Sequence, residues 1–180
     1  MILSDEGIRN ALARGEIEID PPPKPDQYQT SAVDIFLGDS FRIWDLPKFN
    51  VPGVRVELNL AQQRFVETAA VYSCDAPREG DGSVILPPWA VVAQVMLCQT
   101  RERIHLKPES RLAARVEGRS SLARLGLMVH LTAPTIHAGF NATITLELIN
   151  NGPFFLRLIP TKTRICQFIS SGWKLNLPAS

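Results

Sequence analysis

The residues of this chain whose types and spacing suit chemistry lie between Glu117 and Glu147. Densest is the run Glu117-Gly118-Arg119-Ser120-Ser121-Leu122-Ala123-Arg124-Leu125-Gly126. It follows a strand candidate and reads as a turn with two capping serines, one short helical turn and a glycine stop. The first N–H groups of such a turn have no partner inside the helix and form a nest for an anion. Arg119 and Arg124 flank that nest, and guanidinium groups grip phosphate oxygens in a forked geometry. A second stretch, Thr143-Ile144-Thr145-Leu146-Glu147-Leu148, has period two. Ile144, Leu146 and Leu148 fall on one face, with Thr143, Thr145 and the carboxylate of Glu147 on the other. His137 stands between the two, in the loop Thr135-Ile136-His137-Ala138-Gly139-Phe140. Each feature has an ordinary reading beside the chemical one: a capped surface turn with solvated arginines, the wet side of a half-buried strand, a satisfied loop histidine.

Other chemistries lack their residues. The zinc route to cytosine deamination needs a His/Cys ligand set with a nearby Glu and a Cys-x-x-Cys pair. This chain has no Cys-x-x-Cys, and none of His105, His130 and His137 begins a His-x-Glu. A Walker A loop, a dinucleotide fingerprint and a Gly-x-Ser-x-Gly elbow are also missing. Cys74, Cys98 and Cys166 are odd in number and widely spaced, which favours ordinary thiols over a disulfide framework. A formal net charge of +1 offers no basic field for nucleic acid, so an anion site must come from local arrangement. No stretch approaches the roughly 18 apolar residues of a membrane span. The opening Met1-Ile2-Leu3-Ser4-Asp5-Glu6 has neither the basic flank nor the apolar core of a secretion signal, so the cytoplasm is the expected compartment.

The elements that must position these residues are mostly strands. Ser4 caps a short helix with Asp5 and Glu6 in its first turn, Ile8, Ala11 and Leu12 at helical spacing, and Gly15 as its stop. Pro21, Pro22, Pro23 and Pro25 impose an extended, packed link. From Ser31 the period becomes two: Val33, Ile35 and Leu37 alternate with Asp34 and Phe36 up to a turn signal at Gly38-Asp39. Further strands are expected at Phe41–Trp44, Val54–Leu58, Phe65–Val71, Val84–Leu86 and Val91–Cys98. Others follow at Leu112–Val116, Leu127–Thr132, Ala142–Ile149, Phe154–Ile159 and Ile165–Ile169, many separated by Gly and Pro. Many short strands after one helix imply a mainly β fold, a barrel or jelly roll, in a single domain over residues 1–180 with 171–180 as a loose tail.

Taken together, these residues resemble the dCTP deaminase family of the dUTPase and dCTP deaminase superfamily. The resemblance begins at Met1-Ile2-Leu3-Ser4-Asp5 and Ser31-Ala32-Val33-Asp34-Ile35-Phe36-Leu37-Gly38. It is strongest at Val116 to Leu127, and continues through His130-Leu131-Thr132-Ala133, Ala138-Gly139-Phe140, Ile144-Thr145-Leu146-Glu147-Leu148 and Ile165-Cys166-Gln167. It implies a distorted, dUTPase-like β-barrel of jelly-roll character assembled as a homotrimer with sites between subunits. It also implies hydrolysis of dCTP to dUTP and ammonia without zinc. By resemblance, Glu147 is the general acid/base that activates water against C4 of cytosine, held by Ser120 and the carbonyl of Ala133. Arg124 supports the transition state from a neighbouring subunit. Arg119, Ser120, Ser121, Leu122, Ala123 and Arg124 frame the phosphates. The backbone of Thr145 and Leu146 reads the pyrimidine, Gln167 adds a contact, and magnesium accompanies the triphosphate.

Two departures bear on this. The family usually has Asp where His137 stands; His137 can still hydrogen-bond a 3′-hydroxyl, but dUTPase-type hydrolysis loses its usual base. The segment Gly172-Trp173-Lys174-Leu175-Asn176 does not match the tail that closes over the triphosphate in many members. These departures keep open a non-catalytic nucleotide-binding trimer; a dUTPase-like pyrophosphatase is the other alternative, with the Glu147 strand and the missing Asp against it.

Overall fold

A computed structural model describes residues 1–53, 55–62 and 64–172. Its elements in chain order are α1 (Asp5–Ala13), β1 (Ile17–Asp20), β2 (Tyr28–Gln29), β3 (Ala32–Trp44), α2 (Phe65–Tyr72), β4 (Ser73–Asp75), β5 (Val84–Leu86) and β6 (Met96–Leu106). Then come β7 (Leu112–Gly118), α3 (Ser120–Ala123), β8 (Leu127–Met128), β9 (Thr135–Ile136), β10 (Asn141–Asn150), β11 (Leu156–Leu158) and β12 (Arg164–Gly172). Ten strands form one curled antiparallel sheet with the path β8-β10-β6-β3-β12-β7-β9, while β1 joins β6, and β2 and β4 join β3. β5 and β11 pair separately. The architecture is the mainly β, barrel-like one expected. Among the described residues no helix is long and apolar enough to cross a membrane.

Local sequence explains the start. The Ser4 hydroxyl accepts from the Gly7 N–H at 3.1 Å, and Ile8 and Ala11 bury the inner face of α1. The proline link is less packed than expected: Pro21, Pro22 and Pro25 are exposed and Pro23 is half-buried. Only Gln27 just beyond them is buried, its amide donating to the Asp34 carbonyl at 2.8 Å. Next to the central strand β3 lies β6, whose inward positions Met96, Cys98, Thr100, Glu102, Ile104 and Leu106 are all buried.

Several strand expectations need correction. Gly38-Asp39 is no turn, and Phe41–Trp44 is no separate strand; both lie inside β3. A Cβ on Gly38 would stand 2.8 Å from the Gln99 carbonyl oxygen and 2.9 Å from that of Thr100, so this glycine admits β6 at close range across an irregular register between Leu37 and Phe41. Of the strand expected at Val54–Leu58, residues 55–58 form none, and Val54 lies outside the described residues. Phe65–Val71 is helical: Phe65, Thr68, Ala69 and Tyr72 fall at i, i+3, i+4 and i+7, a stripe that faces the protein. Val91–Cys98 starts late, because the N–H groups of Val91 and Val92 turn back to the Pro88 carbonyl; the strand begins at Met96 and runs to Leu106. The strands expected at Leu127–Thr132 and Phe154–Ile159 shorten to β8 and β11. Ser171 and Gly172, expected in the tail, close β12 against Ala113 and Leu112, and residues 173–180, Lys174 included, lie outside the described residues. The short strands β1, β2, β4 and β9 had no local signal.

β6 bends where both its neighbours lose register. β10 slips between Thr143 and Thr145, leaving the Ile144 N–H without a ladder partner on β6. The buried Thr100 hydroxyl accepts that N–H at 2.9 Å and donates to the Glu102 carbonyl at 2.8 Å. A Thr100→Val substitution keeps the shape but strands a buried donor and a buried acceptor, which costs about 1–3 kcal/mol per group. Thermal unfolding should show the midpoint lowered by roughly 2–4 °C for each kcal/mol. An unchanged midpoint would show that the hydroxyl does not sustain the bulge.

Candidate active site

Glu147 sits on β10 opposite Leu97 of β6, half-buried. Its other flank is where β8 gives out: β8 pairs only with Ile149 and Asn150, and the Glu147 N–H then reaches the Val129 carbonyl at 3.2 Å. The carboxylate accepts from the Leu131 N–H at 3.2 Å, which fixes it at the point where the chain after β8 peels away. Among the described residues, β10 from Thr143 to Leu146 has no β8 partner, so its free edge offers backbone donors and acceptors to a ligand.

That edge borders a cavity of about 340 Å³, lined by Ala133, Thr145, Leu146 and Glu147 together with His130 and Phe140. The volume lies in the range of small-molecule sites. Four of the site residues expected from sequence thus share one pocket. On the other side, Thr145 and Glu147 also border an apolar cavity of about 400 Å³ walled by Trp44, Phe65, Val95, Leu97 and Leu131.

The arginine-serine run folds as α3, with a correction. Arg119 is its N-cap, without a side-chain capping bond, and Ser120 and Ser121 occupy the first two helical positions instead of capping. The N–H groups of Leu122 and Ala123 return to the Arg119 carbonyl, and that of Arg124 to Ser120. The glycine stop is real: Gly126 has φ +97°, and a Cβ there would lie 2.1 Å from the Gly152 nitrogen. This close approach, with the Asn151 N–H donating to the Gly126 carbonyl at 2.8 Å, pins the end of α3 to the end of β10. Ser120, Ser121, Ala123 and Arg124 are exposed and Leu122 is half-buried, and none of the five lines the cavity beside Glu147.

Arg119 and Gln167 meet elsewhere, at Asp34. Gln167, on β12 between Asp34 of β3 and Glu117 of β7, donates to Asp34 Oδ1 at 3.1 Å. Arg119 Nη2 stands 3.5 Å from Asp34 Oδ2. His137 is exposed and does not line the cavity; its carbonyl accepts from the Phe140 N–H at 3.1 Å. Arg115 is exposed and pairs with Glu117 at 3.4 Å.

Sequence reasoning passed over His130, Trp44, Phe65 and Leu131. His130 lines the cavity, with Nε2 3.9 Å from Glu117 Oε2 and a buried Nδ1 that has no hydrogen-bond partner among the described residues. Its place in the same run as Ala133 was the available signal; for the aromatic pair none existed, since Trp44 and Phe65 converge only in three dimensions. Cys98 and Cys166 are buried in strands, and burial, aided for Cys98 by the nearby Glu147, pushes both thiols well above the usual range. They stay protonated and are poor nucleophiles. Among the described residues no group of three or more His, Cys, Asp or Glu side chains is arranged to hold a metal ion.

Comparison with known proteins follows this geometry. Residues 2–171 match the dCTP deaminase-like family model. A dCTP deaminase of Rhodospirillum rubrum is 39% identical over 169 residues, which is 92% of this chain and 80% of that protein. A protein of Methanobrevibacter smithii named dCTP deaminase, dUMP-forming, is 36% identical over 168 residues, covering 93% of this chain and 78% of its own. The crystal structure of 2′-deoxycytidine 5′-triphosphate deaminase from Agrobacterium tumefaciens superposes with a TM-score of 0.63 at 19% identity, covering 94% of this chain and only 47% of that longer one, and so bears on the fold alone. The family match over nearly the whole chain, on a fold that agrees with it, places this protein in the dCTP deaminase family.

Proposed function

We propose that this protein is a hydrolase that converts dCTP to dUTP and ammonia without zinc, as a homotrimer. The observation that carries this reading is the placement of Glu147 beside the free edge of β10, in one cavity with Ala133. That edge presents the backbone of Thr145 and Leu146 to the pyrimidine, as an edge strand presents itself to a further strand. A water at C4 lies between the Glu147 carboxylate, the Ala133 carbonyl and the Ser120 hydroxyl. Glu147 takes a proton from it as the C4–O bond forms and delivers it to N3, then carries the second proton from the C4 hydroxyl to the exocyclic amino group as the C4–N bond breaks. One proton of the water ends on ammonia and the other on N3 of the uracil, so atoms and charge balance. Orientation and polar groups aimed at the water supply the acceleration. Magnesium enters with the triphosphate as part of the substrate.

Ser120 and Arg124 stand on exposed α3, away from Glu147 of their own chain, which suits delivery to a neighbouring subunit's site. Exposed apolar side chains around the same corner, Leu125, Met128, Phe154 and Phe155, favour burial of this face in an assembly. A second reading follows from the dUMP-forming relatives: the same site then also cleaves dUTP. His137, exposed and outside the cavity in place of the usual Asp, favours dUTP as the final product.

Ammonia release from dCTP with magnesium, with nucleotide products separated by chromatography, tests the reaction. The expected product is dUTP, and Glu147→Gln should lower kcat by about 10²–10⁴-fold, the usual weight of a positioned general acid/base, with dCTP still bound. Accumulation of dUMP and pyrophosphate would assign the bifunctional reaction instead. No turnover of dCTP by the folded protein would leave the nucleotide-binding trimer as its function. For the shared site, Glu147→Gln and Arg124→Ala chains should be inactive alone. Refolded together in equal amounts they should regain roughly a quarter of parent activity, because about one interface in four then combines two intact groups. No recovery would mean that both groups act within one subunit.

A further inference from the structure

Asp34 is the most heavily engaged carboxylate in the sheet. It is the third residue of β3, its side chain is fully buried, and a buried charge is costly unless it is paired and hydrogen-bonded. Four side chains from four places in the chain converge on it. Gln167 Nε2 donates at 3.1 Å and Gln29 Nε2 at 3.4 Å, while Arg119 Nη2 and Arg164 Nη1 stand 3.5 and 3.6 Å away.

The two arginines differ in what else holds them. Arg164 also bonds the carbonyl and carboxylate of Asp26 and lies with its guanidinium 5.5 Å from the centre of the Phe36 ring, so it is committed to the protein. Arg119 has Asp34 as its ion-pair partner among the described residues, and 29% of its side chain remains exposed at the start of α3. It is anchored on one side and open on the other. Gln167 is held in the same way, its Nε2 bonded to Asp34 while the residue stays half-buried.

We propose that Asp34 is a positioning residue for nucleotide binding: its buried carboxylate gathers Arg119 and Gln167 into one arrangement and presents the remaining donors of Arg119 to the phosphates. This inference rests on the reading of Arg119 as a nucleotide-binding residue. A fork-shaped donor must be held in one rotamer to grip an anion in bidentate fashion, and a buried partner behind it supplies that hold. Asp34 touches no substrate; it acts through Arg119.

A double-mutant cycle on the full-length protein tests this, with equilibrium binding of magnesium dCTP and steady-state kinetics as readouts. Asp34→Asn should weaken dCTP binding about tenfold and raise KM with kcat nearly unchanged, the pattern of lost ground-state binding. In an Arg119→Gln background the same change should cost less than about twofold, since a residue that acts through another is silent once that other is gone. An Asp34→Asn effect of equal size in both backgrounds, or none in the parent, would overturn the positioning role. An Arg119→Gln protein that binds dCTP as tightly as the parent would instead overturn the assignment of Arg119, and with it the reading beneath. Should Asp34→Asn fail to fold, Asp34→Glu displaces the carboxylate while keeping its charge. Its loss of affinity must likewise disappear without Arg119, and persistence there would sink the proposal.

Discussion

One hydroxyl governs how the site strand is aimed. Thr100 lies buried at the middle of β6, where β3 and β10 both slip register, and its hydroxyl takes up the Ile144 N–H that the slip leaves over. Without that acceptor the irregularity would bury an unsatisfied backbone donor, and β10 would be driven toward a regular ladder. The slip falls three residues before Glu147, on the edge of β10 that faces β6. The close approach at Gly38 belongs to the same bend, since only a residue without a side chain lets β3 come so near the Thr100 carbonyl.

Two buried carboxylates extend this logic on the β3 side of the sheet. Glu102, fully buried, accepts from the Phe36 N–H at 2.9 Å and from Arg101 at 2.6 Å, next to the register shift between β12 and β3. Asp34 stands two residues before Phe36 and gathers Arg119, Arg164, Gln29 and Gln167. Arg101 and Arg164 both lie over the Phe36 ring, at 4.5 and 5.5 Å from its centre. Charge is retained inside this barrel where the backbone ladder is broken and where an arginine must be held. Among the described residues the other buried polar side chains, such as Gln27, Thr100, Asn150 and Ser170, are uncharged.

The parts of the site consequently come from different mechanical systems. Glu147, Thr145 and Leu146 are placed by the β6–β10 pairing, and Ala133 by the loop that crosses the open edge. Arg119 and Gln167 are placed by Asp34 across β3, β12 and β7. The rest of α3 is pinned only at its end, through Gly126 and Gly152, and carries Ser120 and Arg124 outward. A single chain thus holds Glu147 and the outward Arg124 in separate places.

What the sequence determined by itself was set by neighbours along the chain. The Ser4 cap, the period-two face of β10, the turn after Arg119 and its stop at Gly126 each depend on a few consecutive residues, and each was legible. The motif from Val116 to Leu127 and the Glu147 strand pointed to the family for the same reason. Tertiary structure alone decided that Gly38 continues a strand, that β6 starts at Met96, and that Arg119 and Gln167 meet at Asp34 rather than beside Glu147. The bond from Gln167 to Asp34 joins residues 133 positions apart, and that from Ile144 to Thr100 joins residues 44 apart. No local period encodes such pairings, because they exist only once strands distant in sequence have chosen their register and the buried charges have found their partners.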